Sequence, residues 1–264
     1  GWPSPRVRSS RTWLVAVTVV VALTTLGPLV MLVLAALTRA VGLAPTPGNW
    51  TLAHFEEALA GANLAAFGRS LLLSGLAATL VVMLGSLVTS LRRRKFGRPL
   101  RSAVLLTFAV PGSTLAVAVL LAYGASLRDS LSIILIAYLS KLWGLGHRVV
   151  EGAADAVAPD LYRAARASGA SAPTALATVL GPVMSPALFG SWLLVFVFAF
   201  HELTMSSLLY GPGTSTLAVV VLNLQQLGDV STTAALSVLL TIPVLLLAVP
   251  MVIWSGRKRR ERGV

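Results

Sequence analysis

Two adjacent residues, His201 and Glu202, stand in an otherwise apolar stretch and supply the one neighbouring imidazole and carboxylate inside a long hydrophobic run. Side by side, such a pair offers an acid and a base, and would suit proton transfer or hydrolysis. A zinc-protease motif would need a second histidine four residues after the first, and that position is Met205. No cysteine is present, so thiolate metal ligation and disulfide chemistry are excluded. The chain also lacks a G-x-x-x-x-G-K-[ST] loop, so it carries no phosphate cradle of its own for hydrolysing a nucleotide. An intramembrane hydrolase using His201 and Glu202 would want a nucleophile or metal set that the sequence does not offer. Two readings of the pair stay open: groups lining an aqueous path or its outer gate, or a hydrogen bond between helices.

The elements that must position this pair are membrane helices. Of 264 residues, 56% are hydrophobic and 11% charged, against roughly half and a quarter in soluble domains. A spanning helix takes about 20 mainly apolar residues. Uncharged stretches predict spans at Trp13–Leu37, Ser70–Leu91, Ala103–Leu127 and Val230–Trp254. Val183–Tyr210, which carries the His-Glu pair, and the shorter Ser130–Gly146, which contains Lys141, complete a set of six. Thr214–Leu227 follows Gly211-Pro212-Gly213 and is too short to cross, which reads as an interfacial or re-entrant segment. Pro28, Pro111, Pro243 and Pro250 are expected to kink or break their helices.

The net charge of +12 would suggest a nucleic-acid partner in a soluble protein, but here the basic residues sit in blocks between the spans. With six spans and both ends cytoplasmic, 18 of the 21 Lys and Arg fall on the inner side, leaving only Arg39, Arg69 and Arg128 outside. The blocks include Arg92-Arg93-Arg94-Lys95, an orientation signal with some attraction for anionic lipid. The expected organisation is a basic segment at 1–12, a transmembrane domain at 13–254 and a basic tail at 255–264. Lys141 reads as a snorkelling lysine and Asp229 as a helix cap. His54, Glu56, Glu57 and Trp50 read as an interfacial surface helix with an aromatic anchor. A start at Gly1, with no leader ahead of the first span, reads as an expression start or the later half of a longer chain.

The long inner segment His147–Pro182 alternates alanine-rich stretches with breakers at Pro159, Gly169 and Pro182. Asp160 is expected to cap a helix through Tyr162–Ala167, Gly169 to take a positive φ after it, and Ser171 to cap the next helix with Pro173 in its first turn. Such a loop is a stiff knob on the cytoplasmic face.

These residues resemble the coupling loop of the permease subunits of binding-protein-dependent ATP-binding cassette importers, which reads Glu-Ala-Ala, three residues, Gly, nine residues, Ile-x-Leu-Pro. The matching positions are Arg163-Ala164-Ala165, Gly169 and Val179-Leu180-Gly181-Pro182, with Arg163 in place of the acidic residue, Gly181 in place of leucine and Glu151 as a displaced acidic start. Phe198–Leu224 and Gly228-Asp229 resemble the ferric-iron branch, specifically the second half of a fused two-repeat permease. The resemblance implies an all-α, MetI-like permease fold of six helices in a bacterial inner membrane. It implies cytoplasmic ATP-binding subunits that carry the ATP, a homologous second permease half, an extracytoplasmic solute-binding protein, and no cofactor, metal or nucleic acid on this chain. Asp160, Arg163, Ala164, Ala165, Gly169, Ser171 and Pro182 would form the coupling loop, and His201 and Glu202 would line the path. Ferric iron is the expected cargo, with thiamine, phosphonate, sulfate or polyamine as alternatives. An ion-coupled carrier would instead show charged pairs at the midplane and no docking knob.

Overall fold

The computed structural model describes residues 11–91, 99, 102, 103, 106, 107, 109–157, 159–175, 178, 179 and 181–261. Arg6, Arg8, the block from Arg92 to Lys95, Arg98, Arg101 and Arg262, all used for the charge count, lie outside these residues.

Apolar composition makes long helices, and the described residues are helical almost throughout. In chain order these are α1 (Arg11–Leu37), α2 (Ala53–Ala58), α3 (Gly61–Leu91), α4 (Gly112–Leu127), α5 (Leu131–Ala156), α6 (Pro159–Ala167), α7 (Ala172–Ala175), α8 (Gly181–Phe200), α9 (Thr204–Leu209), α10 (Leu217–Gln226) and α11 (Val230–Glu261). Five are long and apolar enough to cross a membrane: residues 13–37, 61–90, 131–155, 181–200 and 230–250. Pro28, Pro243 and Pro250 lie inside continuous helices.

Three expected spans are corrected. The stretch Ala103–Leu127 is not one continuous helix: Val110 is a bend, Pro111 is extended (φ −55°, ψ 142°), and α4, 16 residues long, starts after it. Proline explains the break, since it restricts the residue before it and removes a donor. The span expected to end at Gly146 instead runs on through α5 to Ala156, so the first ten residues of the supposed inner loop are helix. The stretch Val183–Tyr210 is two helices, α8 and α9, separated by His201, Glu202 and Leu203.

The chain forms two compact units, Gly1–Ala60 with Asn223–Leu239, and Gly61–Leu222 with Leu240–Val264. In the first, α1 leads into a loop closed by a bridge between Thr38 and Trp50, with Arg39 N–H donating to Asn49 O (3.0 Å) and Thr51 N–H to Leu37 O (2.7 Å). Trp50 Nε1 donates to Pro45 O at 3.3 Å. The Glu57 carboxylate of α2 accepts from Thr232 Oγ1 at 3.1 Å, and Asp229 caps α11 by accepting from Thr232 N–H at 3.0 Å, the expected role.

In the second unit α3, α5 and α8 pack on one another, with α4 and α9 against α5. Without a hydrophobic drive between helices in lipid, association relies on close packing of small residues. Ala66, Ser70, Ser74, Ala77, Ala78 and Val81 make one buried stripe along α3 at spacings of three and four. Against it sit Ile133, Ile134, Ala137 and Tyr138 of α5 and Val195, Phe196, Ala199 and Phe200 of α8. Closest approach falls at Gly146: a Cβ there would lie 2.3 Å from Val81 Cγ1 and 3.2 Å from Val195 Cγ2. Its carbonyl accepts from Ser191 Oγ at 3.2 Å, tying α5 to α8.

Val81 is β-branched and stiff at χ1, so Gly146→Ala is expected to destabilise by about 1–3 kcal/mol through overpacking. Val81→Ala in the same chain is expected to restore most of that loss. Gly75→Ala, where a Cβ meets nothing within 4 Å, serves as the silent control. Thermal unfolding of the detergent-solubilised protein reads all three.

Candidate functional site

The knob is built from α6 and α7. Helix α6 opens on Pro159, so Asp160 lies in its first turn rather than capping it from outside, a correction of one position. An acidic group there still complements the helix dipole. Its Oδ1 also accepts from Arg163 Nη1 at 3.3 Å, and both side chains are strongly exposed. Such a pair contributes little to stability; it leaves the arginine on the outer surface.

At the other end, α6 closes in a Schellman motif. Gly169 takes φ +84°, its N–H donates to Arg166 O at 3.1 Å, and Ala170 N–H donates to Ala165 O at 3.1 Å. Arg166 Nη1 reaches Ala170 O at 2.8 Å, a cation on the carbonyl end of its helix. Ser171 then caps α7: its Oγ accepts from Thr174 N–H at 3.3 Å. The turn is therefore fixed by backbone bonds, and Arg163, Ala164, Gly169 and Ser171 are exposed along it. Pro182 is the second residue of α8, where a missing N–H costs nothing.

His201 and Glu202 lie at the far end of α8, some 30 Å from Pro182 for a 20-residue helix. The structure keeps the knob and the His-Glu pair apart and joins them by one rod. Glu202 is half-buried and bonded to backbone. Its carboxylate accepts from Met205 N–H (3.0 and 2.9 Å), Ser206 N–H (3.1 Å) and Ser206 Oγ (3.3 Å), capping the first turn of α9. Ser206 Oγ in turn lies 2.6 Å from the hydroxyl of the buried Tyr138 on α5. Glu202 thus makes local hydrogen bonds to the start of α9. His201 differs: its ring is exposed, edge-on to Phe200 with centroids 5.7 Å apart, and Nδ1 lies 3.0 Å from Val197 O.

Three polar features escaped the sequence reading. Lys141 does not simply reach for headgroups: its Nζ donates to Val110 O at 2.6 Å, the carbonyl freed by the break before Pro111. His147 and Glu151, assigned to the loop, are buried on α5, with Nε2 and Oε2 3.8 Å apart. His147 Nδ1 is 3.4 Å from Thr89 Oγ1 of α3. Glu151 is thus an internal group of the bundle and not an acidic start to the knob. Arg69 of α3 donates through Nε to Ser215 O (2.9 Å) and through Nη2 to Ser215 Oγ (3.2 Å). The signal for these was present as ionisable residues inside apolar helices, which seek partners in the bundle.

Removing the cap with Glu202→Ala is expected to cost about 1–2 kcal/mol and to lower the thermal midpoint, whereas His201→Ala leaves α9 capped and the midpoint close to wild type. Circular-dichroism melts of the two variants in detergent separate the roles.

A family described as binding-protein-dependent transport system inner membrane component matches residues 81–259. A protein named putative 2-aminoethylphosphonate transport system permease protein PhnV, from Salmonella choleraesuis (strain SC-B67), is 27% identical over 222 residues, covering 80% of this chain and 83% of that protein. Its namesake from Salmonella typhimurium (strain LT2) is 27% identical over 208 residues, covering 76% and 78%. Among solved structures, a bacterial ABC transporter involved in import of the acidic polysaccharide alginate aligns with TM-score 0.69 at 17% identity, over 94% of this chain and 97% of that one. The inward-facing MetNI methionine ABC transporter aligns with TM-score 0.58 at 18% identity, over 71% and 92%. These likenesses establish the all-helical permease fold. With the family match spanning the knob, both helix breaks and the last helix, the chain belongs to the binding-protein-dependent transport system inner membrane components, the multi-pass permease subunits of ATP-binding cassette importers.

Proposed function

We propose that this permease carries a small phosphonate, of which 2-aminoethylphosphonate is the type, across the inner membrane. Supporting this cargo over the ferric iron expected from the sequence are the names of its relatives, which are putative 2-aminoethylphosphonate permeases and none an iron permease among those compared. Phosphonate was among the alternatives, and the resemblance to a fused second half gains no support from relatives of which the chain spans about four-fifths.

The mechanism we infer has the chain pair with a second permease half and cross the membrane six times with both ends in the cytoplasm. The apolar stretch that ends in α4, interrupted at Pro111, would supply the sixth crossing. A separate ATPase binds and hydrolyses ATP, and an extracytoplasmic binding protein delivers the cargo. Force enters at α6 and α7, through Asp160, Arg163, Ala164, Ala165, Gly169, Ser171 and Pro182. One observation carries this: the turn is closed by paired backbone hydrogen bonds and a capped helix, yet is exposed. A stiff element standing free of the bundle is what a soluble motor needs to push on. His201, exposed at the α8–α9 break, is the candidate path residue, and Glu202 holds the break in shape.

Proteoliposomes holding the chain with its ATPase, second half and binding protein test both parts. Radiolabelled 2-aminoethylphosphonate is expected to accumulate only with internal ATP, and ferric iron not at all. Deleting residues 163–171 should leave membrane insertion intact and abolish uptake. A single cysteine at Ser168 should react with an impermeant thiol reagent only in inside-out vesicles; labelling in right-side-out vesicles would refute the orientation.

A further inference from the structure

Resting on the phosphonate reading, we propose that Arg69, Ser215 and Thr216 form a subsite for a tetrahedral phosphorus oxyanion. Arg69 is a cation within the apolar helix α3, where an ionisable side chain is expected to serve a partner or a pathway. Both of its hydrogen-bond partners are neutral, the carbonyl and hydroxyl of Ser215, and among the described residues it makes no ion pair. A guanidinium has five N–H donors in a planar fork, and Ser215 engages only two of the nitrogens. The remaining donors suit bidentate recognition of a phosphonate or phosphate group.

Independent features converge on the same place. Ser215 Oγ accepts from Arg69, so its own proton is available to another acceptor. Thr216 is only 2% exposed, and its Oγ1 has no hydrogen-bond partner, a costly arrangement for a buried hydroxyl. Directly after Thr216 begins α10, a ten-residue helix whose first-turn N–H groups carry partial positive charge. Ser70 Oγ already receives Leu217 N–H at 2.7 Å and fixes that helix start beside Arg69. Cation, two hydroxyls and helix N-terminus together offer donors to an oxyanion with three acceptor oxygens.

The same chemistry is carried by the phosphate of an anionic lipid, so the test separates the sources. The permease complex, in phosphatidylcholine nanodiscs and without its binding protein, is titrated with methylphosphonate and followed by phosphorus NMR. We expect saturable line broadening that weakens roughly tenfold or more in Thr216→Val and in Arg69→Gln, the effect of losing a hydrogen bond to a charged group. Thr216→Val removes a hydroxyl at nearly constant shape, and Arg69→Lys keeps the charge while losing the fork, so these two decide the matter where Arg69→Gln fails to fold. Wild-type broadening in Thr216→Val and Arg69→Lys, even with lowered melting temperatures, would overturn the subsite and leave only helix capping. In nanodiscs containing phosphatidylglycerol, unchanged titration identifies the soluble phosphonate as occupant, and competition by the lipid assigns the site to its headgroup. Should wild type bind methylphosphonate but fail to transport 2-aminoethylphosphonate, the cargo reading falls while the subsite stands.

Discussion

Backbone groups that face hydrocarbon must find partners inside the protein, and three breaks among the described residues show how that requirement is met. Each of the three meets a polar side chain. Val110 O receives the Lys141 ammonium from α5. Met205 and Ser206 N–H, exposed by the end of α8 and the restart at α9, receive the Glu202 carboxylate. Leu217 N–H, at the start of α10, receives Ser70 Oγ of α3, and Ser215 O receives Arg69 from the same helix. Polar side chains of these helices thus supply partners to the backbone groups left free at the interruptions.

Close packing supplies the second layer of order. The stripe of small residues on α3 lets α5 and α8 approach until Gly146 has no room for a side chain against Val81. Polar contacts reinforce it where apolar packing is thin: Ser191 to the Gly146 carbonyl, and Trp192 Nε1 to Thr79 Oγ1 at 3.0 Å. Along α8 the rings of Phe189, Trp192, Phe196 and Phe200 stack with neighbouring centroids 5.2 to 6.1 Å apart, stiffening the rod that separates the knob from His201.

Hydropathy made the long helices legible, and local capping chemistry made the knob legible, because both are properties of consecutive residues. The positive φ of Gly169 and the Ser171 and Asp229 caps follow from turn rules alone. Breaks and extensions were hidden for the opposite reason. Nothing in His201-Glu202-Leu203 marks a helix end, since the acceptor that stabilises the break acts on N–H groups three and four residues on. Charge at His147, Arg148 and Glu151 suggested a loop, but His147 and Glu151 are buried, His147 against α3, and the helix continues. The hydrogen bond between Arg69 and Ser215 joins residues 146 positions apart in sequence, and no short motif links them.

Helix α5 has a mechanical meaning of its own. It runs without interruption for 26 residues, about 39 Å, from Leu131 to Ala156, with the buried Tyr138–Ser206 contact about two turns from its start and the first residue of the knob just beyond its end. A rod of that length has no joint in which motion could be absorbed. Tilting it by about ten degrees about the end next to the knob would swing the opposite tip through roughly 7 Å on that rise per residue, wider than a single water molecule. A modest tilt at the knob end of α5 would therefore become a larger displacement at the end that carries the Tyr138–Ser206 contact.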